Sequence, residues 1–222
     1  MSPAPTPGAR CSLVLLGALL LAACNAPPMY ETRAQQYLLR QGVPQATITR
    51  LAERRPLAAE DAARLEAFRD TAVRHLLASN PGIPEAMILR LSADADEEVR
   101  WGAASNPRTP PERLLALRVA GRYSTMNEYL ARNPALPREV IIAMYRGGEA
   151  NKVSFAMNPA LPADLMREIA TIGNDLDRTW LAANPALPPD LMQRLERDES
   201  ENVRRFLGQN RAYQRWQAGR QG

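Results

Sequence analysis

Side chains able to do chemistry are few in this chain, and they fall at regular intervals. There is one histidine, His75, which by itself cannot build a histidine metal site. No serine or cysteine motif accompanies it, so it reads as a surface or half-buried structural residue. Carboxylates are plentiful but periodic, which suits helix starts better than an acid/base pair. Gly147-Gly148 stands alone and makes no phosphate loop. The expectation is a protein without catalytic residues, metal or other cofactor.

Two periodic columns remain. Arg74, Arg100, Lys152, Arg178 and Arg204, with Asn127 interrupting, each stand six residues before a recurring asparagine. Stacked, they form a basic ridge, which has two readings. One is a site for an acidic partner, lipid headgroups or another anionic polymer. The other is a ladder neutralised by Glu97, Glu149, Asp175 and Glu201, three residues before four of the cations. The second column holds Tyr129, Trp180 and Phe206, with Trp101 beside it. It reads as core between units, with a peptide groove as the alternative.

The elements that position these columns come from the prolines. The chain has 222 residues, 45% hydrophobic, 23% charged and 5% aromatic, with 19 prolines against 12 glycines. Its net charge of +4 does not point to nucleic acid. Asn-Pro recurs at Asn80, Asn106, Asn133, Asn158 and Asn184, with a second proline three residues on at Pro84, Pro110, Pro137, Pro162 and Pro188; Asn210 is a sixth copy without prolines. The period is about 26 residues, as in stacked repeats. Apolar residues at helical spacing precede each asparagine, as with Val73, Leu76 and Leu77. Asn-Pro stops that helix, and the second proline opens another. A small residue stands two before each asparagine (Ala78, Ala104, Ala131, Ala156, Ala182, Gly208), which predicts close approach between units. The asparagines are expected to bond backbone groups at the turn rather than a ligand.

The pattern Ala-x-Asn-Pro-x-x-Pro followed by spaced leucines resembles the leucine-rich repeat variant family over about residues 73–210. The resemblance implies a right-handed α-solenoid in which an α-helix alternates with a second, often 3₁₀, helix. The longer period here leaves room for a full second α-helix. The cysteine cluster of an iron–sulfur member is absent, so that cofactor is not carried over. The expected fold is therefore all-α, with five to six two-helix repeats at 73–210 and one continuous core. A helical N-terminal cap or degenerate repeat is expected at 38–72, with one long helix over Ala62–Leu77. Residues 211–222 form a C-terminal cap or tail.

The leader is a separate matter. Residues 11–23 are an apolar run too short to span a bilayer, ending in Leu21-Ala22-Ala23-Cys24. This resembles the lipobox of bacterial lipoproteins. The resemblance implies a signal peptide at 1–23, acylation of Cys24, and a lipidated N-terminus and tether at 24–37. Asn25, where an Asp would mark retention at the inner membrane, points to the outer membrane with the domain facing the periplasm. Cys24 is the one cysteine left after cleavage, so no disulfide is expected. The combined expectation is a non-enzymatic, lipid-anchored solenoid that binds a protein partner, with no nucleic acid or metal. It would be an accessory of an envelope or secretion assembly. The alternative is a structural envelope lipoprotein whose ridge contacts lipid headgroups or peptidoglycan.

Overall fold

Two kinds of helix start alternate along the chain, and together they generate the whole architecture. In the first kind a short polar side chain caps the helix. Asp70 accepts from Val73 N at 3.1 Å before α4 (Thr71–Ser79), and Asp96 from Glu98 N at 3.0 Å before α6 (Glu97–Ser105). Ser124, Asn151 and Asn174 do the same before α8 (Thr125–Arg132), α10 (Lys152–Ala156) and α12 (Asp175–Ala182). Each cap satisfies an amide that the first helical turn leaves without a partner. In the second kind a proline occupies the cap position. Pro84, Pro110, Pro137, Pro162 and Pro188 precede α5 (Glu85–Leu91), α7 (Pro111–Leu117), α9 (Arg138–Arg146), α11 (Ala163–Ile172) and α13 (Pro189–Leu195). The proline carbonyl accepts the first helical bond, as from Leu114 N at 3.1 Å, while the ring fixes φ.

The computed structural model describes residues 28–220, and its fifteen helices are all α. Each second helix is thus a short α-helix rather than a 3₁₀ turn. The remaining elements are α1 (Pro28–Arg40), α2 (Gln45–Ala52) and α3 (Ala59–Glu66) at one end, and α14 (Glu201–Gln209) and α15 (Arg211–Arg220) at the other. First helices stack on first helices, so the molecule is a helical solenoid. The stretch taken as a tether up to residue 37 is helical from Pro28. Cys24 and the leader lie outside the described residues.

Three expectations change. The helix anticipated over Ala62–Leu77 is two, α3 and α4, because Asp70 folds back as a cap and starts a new helix. His75 is fully buried rather than at the surface. Its ring stacks on Tyr30 of α1 at 4.6 Å, and its Nδ1 lies 2.6 Å from the Glu98 carbonyl. The core, expected to be continuous, forms two apolar clusters. One runs from Ala34 to Ala103 and the other from Ala104 to Tyr213. They divide at α6, whose Val99 and Ala103 belong to the first cluster and whose Ala104 belongs to the second, with Trp101 packed against it.

The packing of α4 on α6 depends on Gly102. A Cβ there would stand 2.4 Å from the His75 carbonyl oxygen. Gly208, at the matching end of the array, has nothing within 4 Å of such a Cβ. Gly102→Ala should therefore destabilise the protein by about 2 kcal/mol. Gly208→Ala, in an exposed helix interior, should stabilise it by about 0.5–1 kcal/mol. Urea denaturation of the two variants checks both signs; equal effects would refute the close-approach account.

Candidate functional site

The six asparagines are buried, and they form one hydrogen-bonded ladder along the stack. The Asn106 Nδ2 donates to the Ala78 carbonyl at 2.8 Å and to the Asn80 carbonyl at 2.9 Å. Asn133, Asn158, Asn184 and Asn210 repeat the pair of bonds one unit further on each time, to Ala104 and Asn106, Ala131 and Asn133, Ala156 and Asn158, Ala182 and Asn184. Each Oδ1 in turn accepts from the amide two residues later, for example Ala135 N at 2.8 Å. The amide between them belongs to proline in five of the six copies and has no N–H to satisfy. Both ends of the ladder are closed by other residues. Asn80 donates to the Arg55 carbonyl, and Gln214 donates to the Gly208 carbonyl at 2.8 Å. The small column is therefore the acceptor side of the ladder, and each rung ties one unit to the next.

The basic column is largely occupied by its own chain. Arg74 Nη1 donates to the Phe68 carbonyl and Arg178 Nη1 to that of Gly173. Arg100 reaches the carbonyls of Asp94 and Ala95, and Arg204 those of Asp198 and Glu199. These carbonyls lie just past the preceding second helix, where acceptors are left over. Asn127 does the same job at its place in the column, donating to Val119 and Arg122. Arg74 and Arg178 also pair with acids of the next linker, Asp94 at 2.9 Å and Asp198 at 2.8 Å.

The neutralising acids are therefore mostly not the ones three residues back. Asp175 does reach Arg178 at 2.8 Å, but Glu149 turns away from Lys152 to Arg118, at 2.7 Å. Among the described residues, Glu97, Glu201 and Lys152 form no ion pair. The linker acids prevail because they follow a turn that returns the chain beside the arginine, whereas Glu97 and Glu201 open the helix itself and point outward.

Glu149 holds the irregular third unit in place. It is almost fully buried, accepts both Arg118 nitrogens and takes the Gly121 amide at 2.9 Å. Arg118 keeps its carboxyl below the ordinary glutamate range. The 118–124 segment clamped this way leaves a cleft of about 390 Å³ beside it, lined by Ser92, Asp94, Arg100, Arg113, Leu117 and Met126 among others. Nothing in the repeat pattern announces this cleft. The one hint is the 27-residue spacing between Asn106 and Asn133.

The aromatic column is half-buried and works in pairs. Trp101 stacks on Tyr129 at 5.6 Å, and Trp180 meets Phe206 edge-on at 5.9 Å, each pair joining neighbouring first helices. Sequence reasoning missed Arg54. Among the described residues it is the one non-glycine with positive φ, at 54°, and burial holds its guanidinium pKa below the ordinary value, against the opposing pull of Glu31 and Tyr129. Its turn stands where an Asn-Pro turn would be, since Asn80 bonds Arg55 and Pro56 lies against Gly82. Without the motif, no signal in the sequence marks it.

Asn133→Ala should cost about 3 kcal/mol, because two buried carbonyls and one amide lose their partner at once. Chemical denaturation measures this, and a loss below about 1 kcal/mol would show that the ladder is incidental. Glu149, whose folded pKa is depressed, contributes stability that is fully present above its unfolded value near 4.5. That contribution is lost as pH falls through the folded value. Glu149→Gln should be less stable at neutral pH and show a shallower loss of stability on acidification, followed by thermal melts across pH.

Part of the repeat array also resembles a known family. Residues 152–211 match the family model of the Leucine Rich Repeat Variant domain. No curated protein and no solved structure matches the chain significantly. The chain is thus similar to leucine-rich repeat variant domains over the stretch from α10 to the start of α15, where its asparagine ladder is most regular.

Proposed function

We propose that this chain is a non-enzymatic, lipid-anchored solenoid that holds a protein partner at the bacterial cell envelope, facing the periplasm. The observation that carries the reading is the set of aromatic pairs left half-buried along the first-helix face, Trp101–Tyr129 and Trp180–Phe206. Such rings keep part of a large apolar surface exposed, and aromatic side chains of this kind dominate binding energy at protein interfaces. A solenoid presents them on a rigid, extended support, so little ordering is needed on binding. The lipobox-like Leu21-Ala22-Ala23-Cys24 supplies the anchor. A basic ridge gripping lipid or peptidoglycan has less support, because Arg74, Arg100, Arg178 and Arg204 are already committed to carbonyls and acids of their own chain.

The reading makes two linked demands. Mass spectrometry of the membrane-bound protein should find an N-terminus at Cys24 carrying acyl chains, and Cys24→Ala should release the protein from membranes. A photo-crosslinking residue at Tyr129 or Trp180 should capture a discrete protein in intact cells, while one at Leu89 on the second-helix side should not. Crosslinks confined to lipid or envelope polymer would favour the structural alternative instead.

A further inference from the structure

The end of this chain carries arginines without a single acid among them. Residues 202–222 contain Arg204, Arg205, Arg211, Arg215 and Arg220 and no acid, whereas the whole chain nets +4. The preceding 201 residues therefore net −1. All five arginines are exposed, although Arg204 is tied to the carbonyls of Asp198 and Glu199.

Several arginines of the array face carboxylates of adjoining units, as Arg74 faces Asp94, Arg118 faces Glu149 and Arg167 faces Asp190. Residues 202–222 supply no acid of their own for such pairs. Arg220 reaches Glu196 at 3.7 Å, but among the described residues Arg205, Arg211 and Arg215 make no ion pair. Arg211 and Arg215 stand at i and i+4 on one flank of α15. Like charges at that spacing repel, and the strain is relieved when an anion lies across them. Beside them Trp216 is half-buried against Tyr213, with Arg220 over its ring at 4.5 Å.

We propose that this basic end of the solenoid docks on an anionic bilayer surface. Three features fit lipid headgroups, and the first and third separate them from an acidic peptide or nucleic acid. The surface is a helix flank rather than a groove, and the cleft of this molecule lies elsewhere, beside Arg100 and Arg113. A convex flank suits a plane of phosphates better than an extended peptide. Every cation in it is arginine, whose planar fork matches phosphate oxygens. Trp216 and Tyr213 add the amphipathic rings that settle at a headgroup boundary.

A fourth feature rests on the lipid-anchor reading above. Three residues, 25–27, separate Cys24 from α1, a reach of about 10 Å when extended. A body held that close to the bilayer must rest some face against it. With the anchor at one end of the stack and the arginines at the other, the solenoid lies along the membrane, and the second contact forms at high effective concentration.

The test is co-sedimentation of the full chain with vesicles of phosphatidylcholine alone and with about 30% phosphatidylglycerol. The anchor contributes equally to both, so the difference reads the arginine surface. The expected result is at least about tenfold greater partition into the anionic vesicles at low salt, collapsing as ionic strength rises. Arg211→Glu with Arg215→Glu should abolish that excess without changing the thermal melt. Arg64→Glu with Arg122→Glu, which alters net charge equally at exposed positions elsewhere, should keep it. Equal partition into both vesicle types, or an equal loss in the two double variants, overturns the proposal. So does tighter binding to polyglutamate or to DNA at the same ionic strength. Anionic preference without acyl mass on Cys24 would sink the anchor reading and leave this one standing; acylation without anionic preference would do the reverse.

Discussion

A helix that stops inside a stack leaves backbone carbonyls facing the next unit, away from water. This chain meets that constraint with one side chain per repeat. Asparagine carries two donors and an acceptor, and every copy from Asn106 onward spends both donors on carbonyls of the preceding unit and the acceptor on its own turn. The neighbouring residues follow from this. A small residue must stand two before each asparagine for its carbonyl to be reached, and Ala78, Ala104, Ala131, Ala156 and Ala182 are all fully buried. Proline after the asparagine removes an amide that would otherwise compete for the same oxygen. The second proline then fixes the direction of the next helix. Leucines and isoleucines fill the space that the ladder sets, each contributing about 2 kcal/mol of burial.

The arginines obey the same rule one layer out. Helix ends also leave carbonyls on the linker side, and Arg74, Arg100, Arg178 and Arg204 close over them. A cation at that place looks like a binding ridge when the residues are written in a column. In the folded chain its donors face inward, and Asn127 can replace arginine there because the need is for a donor rather than a charge. For Arg74 and Arg178 a balancing acid comes from the following linker, twenty residues away in both cases. Surface pairs of this kind add little each, but they help set the register between units.

Regularity fails in one place. Between Asn106 and Asn133 the spacing is longer, the 118–124 segment is clamped by Glu149, and a cleft opens beside it. Close by, the apolar core divides into two clusters at α6. A solenoid tolerates such a break because each unit needs only its neighbours, and here the asparagine ladder runs through it unbroken from Asn106 to Asn133.

The sequence by itself determined the helices, their alternation and the turn asparagines, because all three depend on local chemistry that recurs: proline limits the backbone, asparagine bonds nearby groups and apolar residues return every third or fourth place. Even the buried small column was legible as a pattern. What only the tertiary structure decided is which donor meets which acceptor across units. Nothing local tells Glu149 to prefer Arg118 over Lys152, or the Arg54 turn to stand in for an Asn-Pro turn. Those choices are made between residues tens of positions apart, where stacking brings together groups whose own neighbourhoods carry no sign of the pairing.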